Sequence, residues 1–423
     1  MNLIKPISIS LSPNVEKDDV RLAFKLLFSA IGGPALGWQP WRDGPAIKEL
    51  EDEFKKYLGV KHVVSFNSGR SALMAILESL GLKKNDEVLL QAFTCNAASN
   101  PIIWSGLRPI YVDCDEKPFN IDTADLQKKI GSQSRAVMVQ HTFGLPAAME
   151  EVLEVCQKNN LILIEDCAHA LGANYKRKKV GTFGKAAFFS FSRDKIISSV
   201  YGGMAVTDDD ELARRLRQFQ KQVGYPSRCW TFQQLLHPVL MNWLILPTYK
   251  IFGKYLLVLF QWLRVLSKAV HWKEKRGKRP CHFPKRMPNA LAMLALNQFK
   301  KLEKFNNHRR EIADFYYNEL KNTGFELPLD SVDSKQTFLR FTIKHLKAHE
   351  IIKSAWQKNI LIGDWYTTPI APYDTRLEKV GYILGSCPQA EKLAKVVLNL
   401  PTHINISEKE AKIVSDFIKS YGD

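Results

Sequence analysis

The chain has 423 residues, 45% of them apolar and 24% charged, a globular balance at a length that predicts two domains and excludes a disordered or collagen-like polymer. Lysine and arginine outnumber the acids 60 to 43, for a formal net charge of +17. That excess points to anionic lipid or an anionic substrate; no zinc-finger or RRM signature accompanies it, so no nucleic-acid partner is expected. Seven cysteines are scattered without a CxxC pair or a His/Cys cluster. The pattern predicts no disulfide framework and no metal site, and a reduced cytoplasmic setting. Met1 to Pro13 lacks the apolar core of a secretory signal.

Asp18–Ile31 patterns as an amphipathic helix, 34–45 as a Gly/Pro-rich loop carrying Trp38 and Trp41, and Ile47–Leu58 as a second helix closed by Gly59. Val63–Phe66 reads as a strand, followed by the small-residue turn Asn67-Ser68-Gly69 and a helix through Leu80. Such a turn aims backbone N–H groups and a positive helix end at an anion. It also reads as an ordinary strand-to-helix turn with Ser68 as N-cap. Strands are predicted at Glu87–Gln91, Pro109–Asp113, Ala136–Gln140, Ile162–Glu165, Ala186–Phe191 and Met204–Val206, with helices at Asn96–Trp104 and Met149–Lys158. This alternation predicts an α/β fold, a mainly parallel sheet covered on both faces, with ligands beyond the carboxyl ends of its strands.

Two of those ends carry chemistry. Ile162–Glu165 leads into Asp166, Cys167, Ala168 and His169, and Ala186–Phe191 leads into Ser192, Arg193, Asp194 and Lys195, with Gly202-Gly203 close behind. A buried acid, a lysine and a glycine pair at neighbouring strand ends suit pyridoxal 5'-phosphate. Lysine forms the Schiff base, and a carboxylate keeps the pyridine nitrogen protonated so that the ring acts as an electron sink.

The motifs then combine. Asn67-Ser68-Gly69-Arg70-Ser71-Ala72-Leu73, Asn85-Asp86-Glu87-Val88, Arg108-Pro109-Ile110-Tyr111-Val112-Asp113 and His141-Thr142-Phe143-Gly144-Leu145-Pro146 follow in order. Glu165-Asp166-Cys167-Ala168-His169-Ala170, Phe189-Ser190-Phe191 with Lys195, Gly202-Gly203-Met204, Arg286-Met287, Gln298 and Leu400-Pro401-Thr402-His403 complete the series. In this order and spacing the chain resembles the DegT/DnrJ/EryC1/StrS family of pyridoxal phosphate-dependent sugar aminotransferases, which have the fold type I architecture. The resemblance implies a large cofactor-binding domain (46–285) after an N-terminal segment (1–45), and a smaller C-terminal α/β domain (286–423). It implies that Lys195 holds the cofactor and shuttles the proton, Asp166 pairs with the pyridine nitrogen, and His169 lies against the ring. It also implies that Ser68, Gly69, Arg70 and Ser190 surround the phosphate. Lysine rather than histidine at 195 disfavours the family's dehydratase branch. The family's dimers imply a homodimer with sites at the subunit interface.

Several positions depart from the family pattern. Arg70 stands where a small hydroxyl is common. The stacking aromatic expected after Glu87–Gln91 aligns with Cys95, and Phe93 is two positions off. Gly-Glu-Gly-Gly reads Val200-Tyr201-Gly202-Gly203, and a Tyr-Asn-Tyr-Arg segment, whose Asn reaches the partner's phosphate, reads Phe283-Pro284-Lys285-Arg286.

The stretch 225–282 reads as an insertion. No Asp or Glu occurs from Leu212 through Lys273. Phe232–Leu246 is apolar apart from Pro238, Pro247 marks a turn, and Lys250–His271 fits a helix with Lys250, Lys254, Gln261, Arg264 and Lys268 on one stripe. An apolar body with a basic stripe and tryptophans suits an interfacial helix, so 232–279 is expected at an anionic membrane surface, on its inner face. A hairpin packed on the enzyme or its dimer mate is the competing reading. Beyond the insertion, helices are predicted at Ala290–Leu302, Asn306–Asn322, His349–Lys358, Pro388–Leu398 and Ser407–Tyr421, and a strand at Phe338–Ile343. The expected activity is amino transfer from Glu or Gln to a keto sugar, carried on a nucleotide diphosphate, in amino-sugar or surface-polysaccharide biosynthesis. The alternatives are the same chemistry on a membrane-held, polyprenyl-linked keto compound, or a membrane-associated interaction protein without turnover.

Overall fold

A computed structural model describes residues 5–32, 41–117, 119–328 and 333–422. Most of the loop expected over 34–45, including Trp38, lies outside the described residues. Trp41 lies inside them, and its indole N–H donates to the Leu26 carbonyl at 2.9 Å.

The centre is a seven-stranded sheet: β1 (His62–Phe66), β2 (Glu87–Gln91), β3 (Arg108–Val112), β4 (Ser134–Gln140), β5 (Ile162–Asp166), β6 (Ala186–Ser190) and β7 (Gly203–Thr207), in the order β1-β7-β6-β5-β4-β2-β3. Every pair is parallel except those made by β7, which runs antiparallel to both β6 and β1. The two-residue period of the strands sorts the apolar side chains between faces. Val64, Val88, Leu90, Met138, Ile164 and Phe188 share a core with helices α3 (Gly69–Ser79) and α4 (Asn96–Trp104) and with the small domain. Their neighbours Leu89, Val137 and Leu163 pack under α5 (Thr123–Lys129) and α6 (Met149–Lys158), and Val63, Ala187, Phe189 and Met204 under α1 (Lys17–Gly32) and α2 (Pro45–Leu58). α2 starts on Pro45 at its first position and stops at Gly59 in the left-handed region (φ 76°), the asymmetry that proline and glycine impose on helix ends. Asp209 caps α7 (Asp210–Val223), a helix the sequence reading missed, as it did α5.

The C-terminal part holds an antiparallel pair, β8 (Phe341–Lys344) with β9 (Val397–Leu400), under further helices. Ile7–Ser8 pairs in parallel with Ile360–Leu361, which ties the N-terminal segment to this domain. The two helices expected over 290–302 and 306–322 are present as α10 (Asn289–Phe299) and α11 (Leu302–Leu320), with the break at Lys300-Lys301. Ala290, Leu291 and Ala295 of α10 share a core with Leu50 and Phe54 of α2, on the large-domain side of the division expected at residue 286.

The insertion forms two arms. α8 (Arg228–Leu240), capped by Ser227, continues through a π-type turn at Met241–Ile245. After Pro247 a second such turn, Tyr249–Gly253, leads into α9 (Lys254–Trp262), and the arms bend by 110°. Gly253 makes the bend possible: a Cβ there would fall 2.2 Å from the Ile245 carbonyl oxygen. The helix expected to reach His271 ends at Trp262, and Arg264 adopts φ 59°. The basic stripe is therefore broken, because Arg264 and Lys268 leave the helix. Tertiary bonds override the helical period here. Arg193 donates to the Ser267 carbonyl at 2.5 Å, and the Tyr201 hydroxyl donates to the Lys268 carbonyl at 2.7 Å. Among the described residues no single helix is long and apolar enough to cross a membrane.

Candidate active site

The carboxyl ends of β5 and β6 open into one cavity, lined by Asp166, His169, Ser190 and Lys195 together with Gly69, Arg70 and Cys95. Four stretches of sequence between residues 69 and 195 thus converge as the parallel sheet requires. Small-domain residues Trp365 and Tyr366 and the insertion's Ala269 and Val270 close it from other sides.

Asp166 is buried, and its Oδ1 accepts the Ala168 N–H at 2.9 Å. Burial pushes its pKa up to about 6, against that hydrogen bond and the charges of Lys195 and His141. Among the described residues Asp166 forms no ion pair, and the charges of Lys195 and His141 do not offset its burial. The Lys195 ammonium lies 4.7 Å from the Trp365 ring centroid, and burial lowers its pKa, which favours a neutral, nucleophilic amine. His169 accepts the Phe143 N–H on Nδ1 at 3.2 Å, which assigns its proton to Nε2. Burial first, then the charges of Lys195 and Arg340, holds its pKa well below the usual range, so the ring is neutral. It stacks on Trp365 at 5.5 Å.

The turn after β1 is built for close approach. A Cβ on Gly69 would sit 2.9 Å from the Ser190 Cβ, and one on Gly203 would sit 2.5 Å from the Gly69 nitrogen. These glycines let the start of α3 meet the ends of β6 and β7, leaving the α3 N-terminus at the cavity wall. Ser68 does not line the cavity: its hydroxyl is the N-cap of α3, accepting the Ser71 N–H at 3.0 Å. The capping alternative thus describes its side chain, whose hydroxyl also bonds the Ser71 hydroxyl at 2.9 Å. Cys95 lines the wall as expected, while Phe93 is buried behind Tyr366 at 5.4 Å.

Arg70 points neither at solvent nor freely into the cavity. It forms a buried ion pair with Glu274, donates to the Ala269 carbonyl at 3.1 Å and lies 4.7 Å from the Phe283 ring centroid. Burial opposes its charge, but the Glu274 carboxylate outweighs burial and its pKa is raised. Glu274 belongs to the insertion, so this segment is tied to the helix that carries the phosphate turn. Phe283 to Arg286 runs beside the same strand: the Asn67 N–H donates to the Lys285 carbonyl at 3.0 Å.

Trp365, Tyr366, Arg340 and Glu274 had escaped the sequence reading. Arg340 lies 3.5 Å from the Trp365 centroid and 3.5 Å from Asp194 Oδ2, so it braces both the indole and the lysine turn. The aromatic pair at 365–366 was the available signal, but no spacing links it to Lys195. Behind Asp166, buried His141, Glu165 and Cys167 lie together. Glu165 already accepts N–H groups from Gly181, Phe183 and Gly184, and His141 Nδ1 accepts that of Ala147, so this group braces the loop after β5.

The donor set fits pyridoxal phosphate: a buried uncompensated carboxylate for the pyridine nitrogen, a lysine with lowered pKa, a neutral histidine and a glycine cradle at a helix N-terminus. Asp166, His169 and Lys195 would hold the ring, and Gly69, Ser190 and the α3 N-terminus the phosphate.

Comparison with known proteins agrees with this geometry. The model of the DegT/DnrJ/EryC1/StrS aminotransferase family matches residues 35–240 and 258–419, and the interruption falls inside the two-armed insertion. That interruption is narrower than the 225–282 expected from the sequence. The chain is 40% identical to the GDP-perosamine synthase of Caulobacter vibrioides over 189 residues, 45% of this chain and 51% of that protein. It is 27% identical to the GDP-perosamine synthase of Escherichia coli O157:H7 over 388 residues, covering 89% and 90% of the two chains. The crystal structure of S. venezuelae DesV in complex with a ketimine intermediate superposes with a TM-score of 0.73 at 25% identity, covering 97% of this chain and 98% of that one. The chain belongs to the DegT/DnrJ/EryC1/StrS aminotransferase family and is a fold type I, pyridoxal phosphate-dependent aminotransferase.

Proposed function

We propose that the enzyme moves an amino group from glutamate or glutamine to a keto sugar carried on a nucleotide diphosphate, in amino-sugar or surface-polysaccharide biosynthesis, and that it works as a homodimer. The observation that carries this reading is the meeting of Lys195, Asp166 and His169 in one cavity of a chain whose relatives include GDP-perosamine synthases. The net charge of +17 suits an acceptor bearing a diphosphate.

When bound, pyridoxal phosphate supplies an electron sink for proton loss at the donor's α-carbon. Lys195 Nζ takes that proton; burial lowers its pKa, which favours the free amine that acts as a base. Asp166 would hold a proton on the pyridine nitrogen. His169, neutral and fixed by the Phe143 N–H, offers its Nε2 proton without adding charge. Trp365 and Tyr366 form the wall beside the lysine. The donor would leave as its keto acid with water supplying the new carbonyl oxygen, the acceptor's carbonyl oxygen would leave as water, and Lys195 would return the proton to the sugar carbon that takes the amino group.

The purified enzyme with glutamate or glutamine and a panel of GDP-, UDP- and dTDP-linked keto sugars tests the reading. Expected is an amino sugar and an equal amount of keto acid for at least one acceptor. Bleaching by the donor with no sugar nucleotide accepted would discard the acceptor. A second reading, a keto compound held on a membrane lipid, draws on Ala269 and Val270: the insertion that exposes apolar surface also supplies part of the cavity wall.

A further inference from the structure

α9 carries the sequence Lys254-Tyr255-Leu256-Leu257-Val258-Leu259-Phe260-Gln261-Trp262 and buries none of its nine residues. An amphipathic surface helix normally hides its apolar stripe. Here Ile251 and Tyr255 are each 64% exposed, Val258 66% and Trp262 76%. The patch extends onto α1, where the exposed Phe24 ring lies 5.0 Å from Trp243 and 4.5 Å from Phe28. It lies on a fixed support. Met241, Ile245, Leu246 and Leu266 form a buried cluster on the inner side, so the two arms are packed down and the outer face is left over.

Charge selects the occupant. No Asp or Glu occurs from Leu212 through Lys273, while Lys254, Arg264 and Lys268 are exposed. Cations sit against aromatics at the margins: Lys254 lies 4.9 Å from the Tyr255 centroid and Arg276 5.4 Å from that of Trp272. Aromatic rings beside basic side chains, with apolar groups between them, match the headgroup zone of an anionic bilayer. The arms Arg228–Ile245 and Tyr249–Trp262 have the composition of a membrane segment only when taken together, and they bend by 110°. A bend of that size suits a segment that enters an interface and turns back.

We propose that the α8–α9 hairpin docks the enzyme on an anionic lipid bilayer, with the bend and α9 seated among the headgroups and upper acyl chains. The chain leaving α9 runs straight to the active site. Ser267 and Lys268 are held by Arg193 and Tyr201, Ala269 and Val270 line the cavity, and Glu274 pairs with Arg70. The docking face and one wall of the cofactor cavity are therefore consecutive parts of one segment.

Flotation of the full-length holoenzyme tests this without reference to activity. The vesicles are phosphatidylcholine alone and phosphatidylcholine with about 30% phosphatidylglycerol. Expected is at least about tenfold more protein on the anionic vesicles at low salt, with part of it retained at about 1 M salt, where Coulomb attraction is screened and apolar burial persists. The combined variant Ile251→Ser, Tyr255→Ser, Val258→Ser and Trp262→Ser should lose flotation while keeping its cofactor absorbance. Lys254→Glu with Arg264→Glu and Lys268→Glu should lose the preference for anionic vesicles. Wild-type protein that floats with no vesicle overturns the proposal, as does a serine variant that floats like wild type. A wild type that does not float, with a serine variant that splits into monomers, would assign the face to a second copy of the chain.

Discussion

Replacing Asp166 by Asn should stabilise the cofactor-free protein while disabling the enzyme. In the folded chain burial lifts the Asp166 pKa from 3.8 to about 6. The folded state therefore binds more protons than the unfolded state between these values, and stability falls as pH rises through about 4 to 6. Two units correspond to about 3 kcal/mol, present as a deficit above about pH 6 and absent below about pH 4. Asn keeps the acceptor for the Ala168 N–H and removes the charge. For 423 residues unfolding cooperatively the entropy at the midpoint is about 0.9 kcal/mol/K, so the gain reads as about 3 °C near neutral pH. The assay is the thermal midpoint of both apoproteins across pH. Addition of cofactor should reverse the order, because only the carboxylate can pair with a protonated pyridine nitrogen. A pH-independent difference, or a less stable Asn apoprotein at neutral pH, would refute the reasoning.

Other perturbations probe the rest of the site. Glu274→Ala strands a buried Arg70 and should cost about 3–5 kcal/mol, whereas Arg70→Met with Glu274→Leu should recover most of it; thermal midpoints in the two backgrounds decide. Gly203→Ala puts a Cβ 2.5 Å from the Gly69 nitrogen, so the phosphate turn must move, and equilibrium dialysis should find weakened cofactor retention in a folded protein. Trp365→Ala uncovers Lys195, whose pKa should rise toward its ordinary value; the pH dependence of amine labelling in the apoprotein measures this.

The sheet was legible because its strands are short apolar runs between turn residues. Glu87–Gln91, Asn96–Trp104 and Met149–Lys158 fall where the pattern put them. Lys195 and Asp166 were legible because a parallel sheet collects its strand ends on one side. α7 was missed because it is densely charged, with only Leu212, Ala213 and Leu216 as buried apolar residues. The expected helix to His271 failed because Arg193 and Tyr201, distant in sequence, pull Ser267 and Lys268 into another course. The same distance hid Trp365 and Glu274. Each reaches the cavity through tertiary packing of a different element, and neither carries a local spacing that points to position 195 or 70.

We propose Lys195 as the residue that carries the cofactor chemistry. Reduction of the holoenzyme with borohydride, followed by proteolysis and mass mapping, tests it directly. A single pyridoxyl-modified peptide with the label on Lys195 is expected. No label is expected in Lys195→Ala, a variant that should retain cofactor by its phosphate but transfer no amino group. Label on another lysine, or undiminished transamination by Lys195→Ala, would contradict it.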